Sequence, residues 1–237
     1  MKCNTNFDSE LKKIEKLNKN WLPWIGEKYF DLPSDKRLII IGESCYETED
    51  VDINQENYIR KITEKQGMEE GAMWDEDPNK FISQMHTNLE KSLSVDTDNI
   101  EAKRHFWERV CYFNIIQTPL KSRSTENRPP WQDFLTGWDV FYQVLSILNP
   151  SYCLFNGVEA SNHFYPDKSA KFNYYSNERA LSLPMINDAH PRKIILKNNN
   201  DQLTKIIFIK HSSSYFSTEL WKDFINKEFE GLLPFKN

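Results

Sequence analysis

Apolar residues recur along this chain with two different periods. In "RLIIIG" (37–42), "VCYFNIIQT" (110–118), "SYCLFNG" (151–157) and "KIIFIKH" (205–211) they run together in short blocks rich in β-branched and aromatic residues. That is the pattern of strands buried on both faces. In "DSELKKIEKLNKNWLPWI" they fall at 11, 14, 17, 21 and 22, a helical spacing with "DSE" as cap and Pro23 as stop. "WQDFLTGWDVFYQVLSILNP" (131–150) and "STELWKDFINKEFEGLL" (217–233) predict two more helices, the first stopped at Asn149-Pro150. The acidic stretch from the first strand to about residue 109 favours helix around a loop, "GMEEGAMWDEDPNKF". Residues 158–204 read as loops with one or two short strands.

Strands alternating with helical segments predict an α/β fold, a three-layer α/β/α sandwich on a mainly parallel central sheet of about four strands. No repeat or linker divides the chain, so residues 1–237 are expected to form a single domain, and a monomer is expected. In parallel sheets, sites form at the carboxyl ends of strands. That rule selects the positions after Gly42, around Asn114, after Gly157 and at His211.

Composition adds limits. Hydrophobic residues are 39% and aromatics 14%, enough for a packed core. The chain shows no bilayer-length apolar run and no secretory leader, so a cytoplasmic protein without a membrane partner is expected. Cys3, Cys45, Cys111 and Cys153 stand far apart, without the spacing of a zinc or iron–sulfur site, so no metal or cofactor is expected. The net charge of −5 is uneven: residues 43–76 hold eleven acids against three bases, whereas 189–211 hold five Lys/Arg against one Asp. With Lys121, Arg123 and Arg128, the latter stretch suggests a local basic face.

The strand ends supply the chemistry. Gly42, Glu43, Ser44, Cys45 and Tyr46 follow the first, Phe113, Asn114 and Gln117 the second, and His211, Ser212, Ser213 and Ser214 the last. An Asn donates to and accepts from a heterocycle edge, aromatics bound its face, and a His donates to a developing anion. The set suits a planar polar ligand.

"GESCY" (42–46), "YFNIIQT" (112–118), Trp131 with Phe134, "LFNGVEAS" (154–161) and "HSSSYFS" (211–217) resemble, in order, the motifs of the uracil-DNA glycosylase superfamily. The resemblance covers residues 38–217. It implies a monofunctional DNA glycosylase that hydrolyses the N-glycosidic bond of a flipped-out uracil or other damaged or modified base, with DNA as partner. By the same resemblance, Asn114 reads the base edge and His211 donates to the departing base. Gly42, Ser44, Tyr46 and Phe113 shape the pocket. Ser212, Ser213, Ser214, Lys121 and Arg123 hold phosphate. Trp74 and Phe81 are candidates for base stacking.

Two departures stand out. Ser44 replaces the water-activating aspartate of the familiar branch, which leaves Glu43 as first candidate for that role and Asp52 as second. Ser212 replaces a proline, and with the long insertion after the first strand it opens the pocket to a larger modified base, such as those of phage genomes, and to a role in defence rather than repair. Two other classes use the same residues. A serine hydrolase would pair Ser44 with His211, although the elbow lacks its second glycine, Tyr46 standing there. A Cys45 nucleophile would need a lowered thiol pKa that nothing nearby in sequence supplies. A non-catalytic nucleic-acid or nucleotide binder is consistent with the missing aspartate.

Overall fold

The computed structural model describes residues 1–47, 52–68, 80–121, 128–176, 180–213, 215–233 and 235, with 65–68 and 80–83 described by backbone only. In chain order it gives α1 (Asp8–Leu11), β1 (Trp24–Ile25), β2 (Leu38–Gly42), α2 (Tyr58–Met68), α3 (Lys80–Ser92), α4 (Ile100–Trp107) and β3 (Val110–Asn114). There follow α5 (Trp131–Leu148), β4 (Tyr152–Asn156), α6 (Pro166–Ala170), β5 (Tyr174–Tyr175), β6 (Leu181–Ser182), β7 (Arg192–Asn198), β8 (Leu203–Ile209) and α7 (Thr218–Glu228).

Among the described residues, eight strands form one mixed sheet in the order β1-β3-β2-β4-β8-β7-β5, with β6 on β7. The centre, β3-β2-β4-β8, is parallel. The expectation of about four mainly parallel strands fits that centre and understates the sheet, because β1, β7, β5 and β6 add antiparallel flanks. The one or two short strands expected within 158–204 are β5, β6 and the seven-residue β7, whose position and length the sequence did not specify. The β7 sequence "RKIILKN" buries only Ile194 and Leu196 and turns Ile195 outward, so polar residues dominate its composition although it pairs along its length with β8.

The central strands are apolar throughout because the sheet is covered on both sides. Ile39 and Ile41 join one core with Phe134, Trp138 and Phe141 of α5, whereas Leu38 and Ile40 join the other with Phe106 and Trp107 of α4 and Trp221 and Ile225 of α7. Each buried side chain of this size contributes roughly 1.5–3 kcal/mol relative to exposure. Trp138 fixes α5 by stacking on Phe155, 5.4 Å between centroids, and by donating from Nε1 to the Ala160 carbonyl at 3.0 Å.

The expected first helix is a correction. Its apolar positions Leu11, Ile14, Leu17, Trp21 and Leu22 are all buried, but the helix ends at Leu11 and a 3-10 turn covers Lys19–Trp21. The chain is held in that path by tertiary bonds: Gln117 accepts from the Asn18 backbone N–H at 3.0 Å and its carbonyl accepts from Asn18 Nδ2 at 3.2 Å. The acidic stretch holds three helices, α2 to α4, and most of the expected loop within it, at 69–79, lies outside the described residues. Helix α5 ends as expected, with Asn149 in the left-handed conformation at φ 49° before Pro150.

Helix α5 lies directly on the chain leaving β3. A Cβ at Gly137 would run into the carbonyl oxygen of Ile115, a backbone atom that cannot move aside. Gly137→Ala is therefore expected to destabilise the protein by about 1–3 kcal/mol, read as a lower urea midpoint with an unchanged slope.

Candidate functional site

The parallel register brings the expected residues to one edge. Gly42 pairs with Asn114, and Asn156 pairs with Ile209 in β8 two residues before His211. Beyond the strands the pairing continues: Ile115 and Ile116 donate backbone N–H bonds to the carbonyls of Gly42 and Glu43, both at 2.9 Å. The loops after β2 and β3 thus run side by side, joined again where Leu120 N–H meets the Cys45 carbonyl at 2.9 Å.

Glu43 lies at the middle of this edge. Its Oε1 is 2.6 Å from Arg128 Nη2, with only 13% of the carboxylate side chain exposed. Its Oε2 faces Gly157, whose φ of +140° only glycine adopts readily. His211 senses both members of the pair. Burial lowers its midpoint below the ordinary 6.5, the Glu43 carboxylate pulls it back up, and the Arg128 guanidinium lowers it. The ring is neutral at neutral pH, with Nδ1 3.0 Å from Ser213 Oγ. Glu43, Arg128, His211 and Ser213 therefore form one cluster. Arg128 entered the sequence reading only as surface charge, and its position just ahead of α5 is what aims it at Glu43.

Asn114 is buried and engaged. Its Oδ1 accepts from the Tyr112 hydroxyl at 3.2 Å and its Nδ2 donates to Cys45 Sγ at 2.9 Å. Burial raises the Tyr112 phenol, which keeps its proton as donor. Gly42 admits this arrangement, since a Cβ there would meet Asn114 Oδ1 and Tyr112 Oη. The thiol is a weak acceptor, the one bond of this carboxamide that a ligand would readily replace. Burial pushes the Cys45 thiol up to about 12, the opposite of what a nucleophile needs.

Several expectations are corrected. Phe113 points into the α5 core, 6.4 Å from Phe141, and is fully buried, because residues alternate across the sheet and it faces away from Asn114. Ser212 is also fully buried: its hydroxyl donates to the Met85 carbonyl at 2.8 Å and its N–H to Asn156 Oδ1 at 2.9 Å, so it is no phosphate ligand. Ser44 Oγ is buried with no hydrogen-bond partner among the described residues and is not joined to His211. Asp52 is exposed and closes a local turn onto Asn54 N–H at 2.9 Å.

Tyr46 is half-buried and bridges to Leu120, and Lys121 is exposed just beyond. Trp74, Arg123 and Ser214 lie outside the described residues, as does the side chain of Phe81. The basic stretch 189–211 is largely consumed internally. Lys193 pairs with Glu228 at 3.1 Å, Lys197 with Asp201 at 2.6 Å, and Lys205 reaches the Glu228 carbonyl at 2.6 Å.

Two residues were missed. Asn156 is buried beside the edge, and the strand-end rule that selected Gly157 also reaches it. Tyr215 is 90% exposed, at φ 57°, four residues past His211. Lys210 Nζ ties its carbonyl, at 2.8 Å, and that of Asn187, at 3.1 Å, to the end of β8. Among the described residues no helix is long and apolar enough to cross a membrane.

Two tests follow from these environments. Cys45 should resist iodoacetamide at pH 8 in the native protein and react once urea unfolds it, as mapped by peptide mass spectrometry. His211 holds a depressed midpoint, so between pH 6.5 and that midpoint the unfolded chain takes up a proton that the folded one refuses. The stability linked to His211 is complete above 6.5 and is lost as pH falls through that window. His211→Gln should flatten this part of the pH dependence in urea titrations.

A scan against protein-family models and a search of curated proteins give no match to this chain.

Proposed function

We propose that the protein is a monofunctional DNA N-glycosylase of the uracil-DNA glycosylase kind, acting on a flipped uracil or a larger modified base. The observation that carries this reading is the cluster at the strand ends, a carboxylate paired with the Arg128 guanidinium beside a neutral, partly buried imidazole. The parallel centre β3-β2-β4-β8, with helices on both faces and the motif residues at its carboxyl edge, supports the corresponding three-layer fold.

Cleavage of a glycosidic bond leaves negative charge on the base and positive charge on the sugar. With Nδ1 accepting from the Ser213 hydroxyl, the neutral His211 ring carries its proton on Nε2 and donates it to a base oxygen as charge builds there. A preorganised donor of this sort in a partly dry site contributes several kcal/mol, roughly 3–4 by analogy with oxyanion donors. Glu43 stabilises the sugar cation and orients the water that attacks it. Arg128 holds the Glu43 carboxylate in place and, half exposed, offers its other face to a phosphate. Asn114 reads the base by exchanging the Cys45 thiol for a base acceptor. Tyr215 presents an open aromatic face at the lip, suited to stacking on a base, which is worth about 1–3 kcal/mol.

A second reading, a binder without turnover, is favoured by one feature: Asn114 and Glu43 are both already engaged, by Tyr112 and Cys45 and by Arg128. One experiment separates the two. Oligonucleotides bearing uracil, and DNA carrying modified phage bases, are incubated with micromolar protein and then cleaved with alkali. Strand scission is expected with at least one substrate. His211→Ala and Glu43→Gln should each slow it by about 100-fold or more, and Tyr215→Ala should mainly weaken DNA binding. Binding of those DNAs without scission supports the binder; neither binding nor scission sinks both readings.

A further inference from the structure

The turn that carries His211 is fastened at every polar group of Ser212. The Ser212 N–H donates to Asn156 Oδ1 at 2.9 Å, its hydroxyl to the Met85 carbonyl at 2.8 Å, and its carbonyl accepts from Asn88 Nδ2 at 2.8 Å. The same Asn88 Nδ2 lies 3.2 Å from the Ser213 carbonyl. One side of this fastening is strand β4 and the other is helix α3. The bond from a backbone N–H also settles which end of the Asn156 carboxamide is oxygen. Its Nδ2 is consequently the end left buried with no hydrogen-bond partner among the described residues, in a residue only 2% exposed. Leaving a buried donor unpaired is costly, and an apolar side chain at the end of β4 would avoid the cost.

We propose that Asn156 is a positioning residue for His211, acting through the Ser212 N–H, and that its unpartnered Nδ2–H is directed to an acceptor atom of the bound substrate; this rests on the glycosylase reading given above. The inference accounts for the departure at Ser212. A proline at that position would stiffen the turn through its ring, but it has no N–H. Serine loses the ring and gains two donors, and both are used, one on each neighbouring element. Asn156 supplies the acceptor that makes the exchange work. It stands opposite Gly42 across the β2–β4 register, one step beyond the Ile41–Phe155 pair, and so at the same level as Asn114.

Three variants of the full chain test this. Asn156→Leu and Ser212→Pro each remove the N–H to Oδ1 bond, from opposite ends, and Asn156→Asp keeps an acceptor there. In Asn156→Leu, amide exchange at Ser212 should accelerate about tenfold or more. The His211 titration midpoint, followed by NMR, should rise toward the ordinary imidazole value as the ring gains water. Base release should lose about tenfold or more in kcat with KM for DNA within about threefold. Asn156→Asp should retain slow exchange at Ser212. If Asn156→Leu does not fold, Ser212→Pro carries the same expectation for His211. A folded variant lacking the bond, with the His211 midpoint and kcat of wild type, overturns the proposal. Exchange and titration need no substrate, so wild-type protein inert toward every DNA would refute the glycosylase reading, while the hold on His211 would still be decided by its own two readouts.

Discussion

Strand β2 is buried on both faces and paired on both edges, and every element of the candidate site takes its place from that. With β3 on one side and β4 on the other, in parallel register, its carboxyl end has no freedom to slip, because a shift of one residue would exchange its two apolar faces. Gly42 is therefore level with Asn114, and the loop after it must leave alongside the loop after β3. Glu43 emerges where Arg128 just ahead of α5, Gly157 after β4 and His211 after β8 come close to it. The tightness has a local cost in sequence freedom: Gly42 leaves room for Asn114 and Tyr112, and Gly137 leaves room for the chain beyond β3.

Charge at this edge is arranged by burial more than by number. The chain is acidic overall, and its acidic stretch begins at Glu43, yet the carboxylate that faces the site is the one paired with a guanidinium. Burial drives His211 and Cys45 toward their neutral forms. The same physical effect thus equips the imidazole to donate and disables the thiol. Most cations of the 189–211 stretch are held by Glu228, Asp201 and backbone carbonyls.

Sequence periodicity carried the reading furthest where one physical cause acted alone. The four parallel strands and helices α5 and α7 were legible because each buries a continuous or helical apolar face. The first segment shows the limit: all five of its apolar positions are buried as the spacing implied, but Gln117, distant in sequence, holds Asn18 in a turn and no continuous helix forms. In 158–204, where only one or two short strands were expected, the difficulty was reversed: β7, with one half-covered face, has too few apolar residues to mark its bounds.

The candidate site divides in the same way. By itself the sequence determined which residues stand at the carboxyl ends of the strands, since a strand buried on both faces must end where its apolar run ends, and Glu43, Asn114 and His211 follow from that. Only the tertiary structure decided what each one touches. Arg128 reaches Glu43, Tyr112 and Cys45 take up Asn114, and Asn156 with Asn88 holds the Ser212 turn. Tyr112 apart, these partners lie 56 to 125 positions from the groups they hold, and hydrogen bonds and ion pairs act over about 3 Å. Their pairing depends on how separate strands and helices come level with one another, a distance that no local pattern encodes.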